Sequence, residues 1–232
     1  MNIVITGASK GIGYAIADIF ASHGHDLFLT SKTATALDAA VIELKEKYPA
    51  IKIDSFAADL SLQSEVDAFA KWCLGQTQLD VLVNNAGYFV PGKLESEAAG
   101  QLQTQLDTNL MSAYHLTRAL LPSMRSKKSG HIFNICSIAS LAAYENGGAY
   151  SISKFALLGF SKNLRLELKD QGIKVTAVCP GAVYTNSWSG SGVDPKRIME
   201  ASDIAKMIYV ATQLSPQAVV EDIVMRPLLG DL

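Results

Sequence analysis

Tyr150 and Lys154 stand four positions apart in a segment of helical period that opens near Gly148. That spacing puts both side chains on one helix face. A free phenol ionises near pH ~10, and a neighbouring ammonium favours the phenolate. Bringing the phenol to about 7 requires about 4 kcal/mol of differential stabilisation. Such a tyrosine can protonate a carbonyl oxygen during reduction or remove a hydroxyl proton during oxidation. Ser137 closes a β-rich run from His131 to Cys136 and offers a hydroxyl to the same substrate oxygen, polarising a carbonyl. Taken singly, each residue has a plainer explanation: a surface Tyr/Lys pair, or a serine doing turn chemistry.

A second group of residues could hold a nucleotide. The run Gly7-Ala8-Ser9-Lys10-Gly11-Ile12-Gly13 lies between a strand at Ile3–Ile5 and a helix. A strand-to-helix turn presents free N–H groups and the positive end of a helix dipole, which suits a pyrophosphate. Its glycines allow close backbone approach. NAD-binding folds of this type place an acid at the end of the second strand to hold the adenosine ribose. Here that place reads Thr30-Ser31-Lys32. No carboxylate repels a 2'-phosphate, and Lys32 and Lys10 offer cations for one, unless both are simply solvated surface. NADP(H) is therefore expected in preference to NAD(H).

The spacing GxxxGxG, the segment Asn84-Asn85-Ala86-Gly87, Asn109, Ser137, the YxxxK pair Tyr150 and Lys154, and Pro180-Gly181-Ala182-Val183-Tyr184-Thr185 occur in this order along most of the chain. The sequence thereby resembles the short-chain dehydrogenase/reductase family. The resemblance implies a catalytic set of Asn109, Ser137, Tyr150 and Lys154. Asn109 would sit at a helix kink whose backbone binds a proton-relaying water, and Lys154 would also hold the nicotinamide ribose, beside Tyr150. It further implies cofactor contacts at Gly7, Ser9, Lys10, Gly11, Ile12, Gly13, Ser31 and Lys32. Asp59 and Leu60 would meet the adenine, although Asp59 also suits a helix N-terminus. Asn85, Ala86 and Gly87 would pass beside the adenosine ribose, with Pro180, Gly181, Val183 and Thr185 closing on the nicotinamide.

These groups need a scaffold. Strand candidates at Ile3–Ile5, Leu27–Leu29, 51–56, Val81–Val83, His131–Ile135, Val175–Val178 and 220–225 alternate with helical segments. That order predicts a doubly wound α/β Rossmann fold, a seven-stranded parallel sheet with helices on both faces, in one domain spanning 1–232. Gly24 and Gly172 are read as helix-terminating residues. The stretch 186–201 is expected to be an irregular substrate loop, with the next helix opening near Ser202. Trp188, Tyr144 and Val90 are possible pocket-lining residues and equally plausible packing residues.

Composition narrows the partners. With 232 residues, 49% hydrophobic, 18% charged and a net charge of −2, the chain has no basic stripe for nucleic acid. Cys73, Cys136 and Cys179 show no metal-ligand spacing, and neither do the four histidines, so no metal is expected. Cys136 should point away from Ser137 into the core. No apolar run reaches the ~20 residues of a membrane span. The opening segment lacks a signal peptide's length and basic flank, so a cytoplasmic protein is expected. Apolar residues on several faces of the segments 110–121 and 155–168 suggest a homodimer or homotetramer. The competing reading is a dinucleotide-binding regulator that keeps the fold without the chemistry.

Overall fold

The structure, a computed structural model, describes residues 1–185, 188 and 192–232. Short strands and longer helices alternate: β1 (Asn2–Thr6), α1 (Gly11–Ser22), β2 (Asp26–Thr30), α2 (Ala34–Lys47), β3 (Ile53–Ser55), α3 (Gln63–Gln76) and β4 (Val81–Asn84). There follow α4 (Gln101–Leu106), a π-helical turn (Asp107–Met111), α5 (Ser112–Lys127), β5 (Gly130–Ile135), α6 (Gly148–Leu168), β6 (Ile173–Pro180), β7 (Val183–Tyr184), β8 (Met199–Glu200), α7 (Ala201–Thr212) and β9 (Asp222–Met225). Seven parallel strands form one sheet in the order β3-β2-β1-β4-β5-β6-β9. Helices cover both of its faces, as the alternation of elements predicts.

Side-chain alternation along the strands splits the core in two. Ile3, Ile5, Leu27 and Leu29 face Ile16 and Phe20 of α1, Leu37 and Leu44 of α2, and Ile204 and Ile208 of α7. Val4, Phe28, Leu82, Ile132 and Val175 face Val66 and Phe69 of α3, Leu116 and Leu120 of α5, and Leu164 and Leu168 of α6. Residues one apart in a strand point to opposite faces, so a run of consecutive apolar residues serves both layers. Each large apolar side chain removed from water this way contributes roughly 1.5–3 kcal/mol.

The sheet order reverses between β1 and β4, where crevices open beyond the strand ends in folds of this type. Thr6 is level with Thr30, and Asn84 with Asn134. Ser31, Asn85 and Ser137 therefore all emerge on the same edge of the sheet. A buried polar chain ties its centre together: Asn84 Nδ2 donates to Asn134 Oδ1 at 2.8 Å and Thr117 Oγ1 at 3.0 Å, and Asn134 Nδ2 donates to Ser161 Oγ at 2.8 Å.

Two details differ from the sequence reading. The third strand is shorter than 51–56, and the stretch read as irregular contains the helical turn Pro195–Arg197 and β8, which pairs with β7 in a separate two-stranded sheet. A two-residue strand lies below any periodicity that a sequence can display. Of the expected loop, positions 186, 187 and 189–191 lie outside the described residues. Gly24 and Gly172 adopt φ of +75° and +73°, the left-handed geometry expected where a helix hands over to a strand. Among the described residues, no helix is long and apolar enough to cross a membrane.

Candidate active site

The glycine turn is built by steric exclusion. Gly7 and Gly11 have φ of +62° and +59°. A Cβ on Gly13 would lie 2.3 Å from the Gly7 carbonyl oxygen and 2.5 Å from Asn85 Nδ2. Lys10, exposed at the N-cap of α1, gives the helix no side-chain cap, so the helix presents N–H donors beside Gly11, Ile12 and Gly13. Thr6 locks the neighbouring segment: its hydroxyl accepts from the N–H of Asn85 (2.9 Å) and of Ala86 (2.8 Å), while Asn85 Nδ2 donates to the carbonyls of Thr6 and Gly7. On the opposite rim, the Thr185 methyl would meet a Gly11 Cβ at 3.2 Å. The segment Pro180–Thr185 is thereby brought onto the glycine turn, with Val183 buried and the Gly181 N–H bonded to the Met225 carbonyl.

At the end of β2 the hydroxyls of Ser9 and Ser31 are 2.9 Å apart. Lys32 forms an ion pair with Asp59 at 2.7 Å. Asp59 also accepts from the N–H and the hydroxyl of Ser61. Burial pulls the Asp59 carboxyl upward, but the bonds from Lys32 and Ser61 outweigh it and hold the group below the usual carboxylate range. Asp59 lies in the turn ahead of α3, whose N-cap is Leu62 and whose first-turn acid is Glu65, so it is not the helix-terminal acid; instead it neutralises the cation expected to meet a phosphate. The Leu60 side chain is part of the core.

Ser137, Tyr150 and Lys154 converge. The Ser137 hydroxyl accepts from the Ala139 N–H at 3.1 Å, in a reciprocal cap with Ser140, and lies close enough to the Tyr150 phenol to act on its ionisation. Lys154, 4% exposed, donates to the Ile135 carbonyl at 2.7 Å and lies 5.8 Å from the centre of the Tyr150 ring. Burial pushes its ammonium down to about 8, so it remains mostly charged at neutral pH. The Tyr150 phenol is raised above its ordinary value by burial, against a smaller lowering from the Ser137 hydroxyl. This is opposite to the lowering expected from Lys154. The physical reason is that the phenolate's desolvation dominates while the ammonium is engaged by a main-chain carbonyl.

Asn109 lies in the π-helical turn, where the sequence resemblance implies a kink. Its Oδ1 accepts from the Tyr88 N–H at 2.6 Å, and its Nδ2 donates to the Tyr88 carbonyl and to Ser153 Oγ. Gly87 closes the gap between Asn109 and Lys154: a Cβ there would be 3.4 Å from Asn109 Oδ1 and 3.6 Å from Lys154 Nζ. Cys136 is buried with Ala113, Leu157 and Cys179, which matches the expectation of core packing.

The site also uses residues that carry no signal in the sequence. Thr6 anchors Asn85 and Ala86. Glu97 accepts from the Ala149 N–H at 2.7 Å, capping the helix that carries Tyr150 and Lys154. A groove of 640 Å³ along α6 is lined by Tyr144, Ile152 and Phe155 among others, and Ser137, Tyr150 and Lys154 do not line it. Among the described residues, no group of three His, Cys, Asp or Glu stands together as a metal site.

Known proteins resemble the whole chain. Sepiapterin reductase of Chlorobaculum tepidum is 34% identical over 239 aligned positions, covering 99% of this chain and 97% of the relative. An alcohol dehydrogenase from the archaeon Thermococcus sibiricus, solved with 5-hydroxy-NADP, superposes with a TM-score of 0.91 at 26% identity, covering 100% and 98% of the two chains. A metagenomic short-chain oxidoreductase in complex with NADP gives 0.84 at 32% identity, covering 98% and 96%. The short chain dehydrogenase family model matches residues 1–194. That match spans more than half of the chain, and the chain belongs to the short-chain dehydrogenase family.

Proposed function

We propose that the chain is an NADP(H)-dependent reductase that transfers a hydride between the nicotinamide and a carbonyl or secondary alcohol, with Tyr150 as general acid/base. The observation that carries this reading is the Ser137 hydroxyl close enough to Tyr150 to act on its phenol, with the buried Lys154 ammonium beside the Tyr150 ring. Both hydroxyls are available to one substrate oxygen. A phenol raised above its ordinary value is protonated at neutral pH, the form needed to donate to a carbonyl. As it does so, Lys154 stabilises the negative charge developing on the phenolate. Asn109 holds Tyr88 and Ser153, and with the π-helical turn it stiffens the wall behind Lys154.

The cofactor fits the residues present. The glycine cradle excludes side chains where a pyrophosphate must approach, and the uncapped α1 terminus supplies donors. Ser9, Ser31 and Lys32 cluster where a 2'-phosphate is to be held, with Lys32 exchanging Asp59 for the phosphate. Solved relatives that carry NADP support the same choice. When bound, NADPH supplies the hydride accepted by the carbonyl carbon. The exposed apolar residues Ile152 and Phe155 on α6, with the exposed Leu94, support assembly into a homodimer or homotetramer.

The test is NADPH oxidation across a carbonyl panel, with NADH and Tyr150→Phe run in parallel. Turnover in the wild type should favour NADPH and fall by about 10²–10⁴ in the variant. Unchanged turnover in Tyr150→Phe removes the tyrosine from the mechanism. A wild type silent on every carbonyl but able to bind NADPH points instead to a dinucleotide-binding regulator.

A further inference from the structure

Beyond β4 the chain is suspended from two buried amides on one helix. Asn109 bonds both the N–H and the carbonyl of Tyr88, and Gln105, one turn earlier, donates to the Val90 carbonyl at 3.2 Å. Gln105 and Asn109 are 0% and 1% exposed. With its two neighbours clamped, Phe89 has little freedom. Its ring stands edge-to-face against Tyr150, centroids 4.7 Å apart and planes at 78°. Such a contact fixes ring orientation as well as position.

Phe89 is nevertheless 48% exposed. An aromatic ring that touches the proton-donating tyrosine, is held from both sides by the backbone and leaves half its surface uncovered offers apolar area to whatever binds at Tyr150. Tyr144, 45% exposed, lies within electrostatic reach of Tyr150. Its ring packs over Gly147, where a Cβ would come within 3.0 Å of Tyr144 Cε1.

Resting on the hydride-transfer reading above, we propose that Phe89 and Tyr144 form a subsite for a planar aryl or conjugated group attached directly to the substrate carbonyl. Ser137 and Tyr150 take the oxygen, and the flat substituent stacks on the exposed rings. An alkyl substituent covers less of this surface and gains no ring–ring electrostatics.

The experiment compares kcat/KM for phenyl methyl diketone and butyl methyl diketone, with NADPH, in the wild type, Phe89→Leu and Phe89→Tyr. The wild type should prefer the aryl compound. That preference should fall about three- to tenfold in Phe89→Leu and be kept in Phe89→Tyr. A ratio that is unchanged in Phe89→Leu, with both substrates slowed in parallel, overturns the subsite because it marks Phe89 as merely structural. Phe89→Trp supplies a reading independent of turnover. If the wild type reduces neither diketone, quenching of the variant's added emission by the aryl compound supports the subsite while the hydride-transfer reading fails. No quenching overturns the subsite.

Discussion

Gly13→Ala tests the physical basis of the nucleotide cradle. The added Cβ would lie 2.3 Å from the Gly7 carbonyl oxygen and 2.5 Å from Asn85 Nδ2, distances that real Cβ atoms do not tolerate. Neither neighbour can yield cheaply. Gly7 is main chain, and Asn85 Nδ2 is held by the carbonyls of Thr6 at 2.9 Å and Gly7 at 3.1 Å. Forced overpacking costs about 1–3 kcal/mol, and weakening two hydrogen bonds adds about 1 kcal/mol. A total of about 3 kcal/mol, at roughly 2–4 °C of Tm for each kcal/mol in a chain of this size, lowers Tm by about 6–12 °C. NADPH affinity should fall by at least about tenfold, since the donors on Gly11 and Gly13 move with the turn. Gly159→Ala is the control. It lies inside α6 with open space around its missing Cβ, so alanine there should stabilise by about 0.5–1 kcal/mol. Thermal unfolding and NADPH titration measure both effects. A Gly13→Ala protein that melts within about 2 °C of wild type would refute the steric argument.

Two further perturbations probe the buried polar groups. Lys154 ionises at about 8 when folded and about 10.4 when unfolded, so between these values the unfolded chain binds more protons and stability rises with pH. The wild type should gain about 2 kcal/mol on Lys154→Met between about pH 7 and 9.5, read from paired urea unfolding curves; a constant gap across that window contradicts the folded-state shift. Asn134→Ala leaves Asn84 and Ser161 short of a partner in the sheet centre and should destabilise by about 2–3 kcal/mol; a loss below about 0.5 kcal/mol would show that the network relaxes or hydrates freely.

The fold was legible because its signals are local. Seven runs of β-branched and apolar residues, separated by helical periods and glycine stops, admit few arrangements besides a parallel sheet with two helical layers. Even so, β8 escaped notice: its pairing with β7 joins Val183 to Met199 across an intervening loop, and two residues carry no period. For the site, the spacing of Tyr150 and Lys154 on one helix face was readable, as was the glycine turn between β1 and α1. Phe89 was not. It is one apolar residue in a loop, and only the Asn109 and Gln105 clamps aim it at Tyr150.

The residue sequence by itself determined which chemical groups are available and which of them share a helix face or a turn, because those relations follow from backbone geometry over a few residues. Tertiary structure alone decided how the charges are shared. Lys32 meets Asp59 across the sheet edge, and the Lys154 ammonium donates a hydrogen bond to the Ile135 carbonyl. The Tyr150 phenol consequently titrates upward where the isolated YxxxK pair implied downward. Desolvation and long-range partners set a buried group's ionisation, and neither exists until distant segments pack around it.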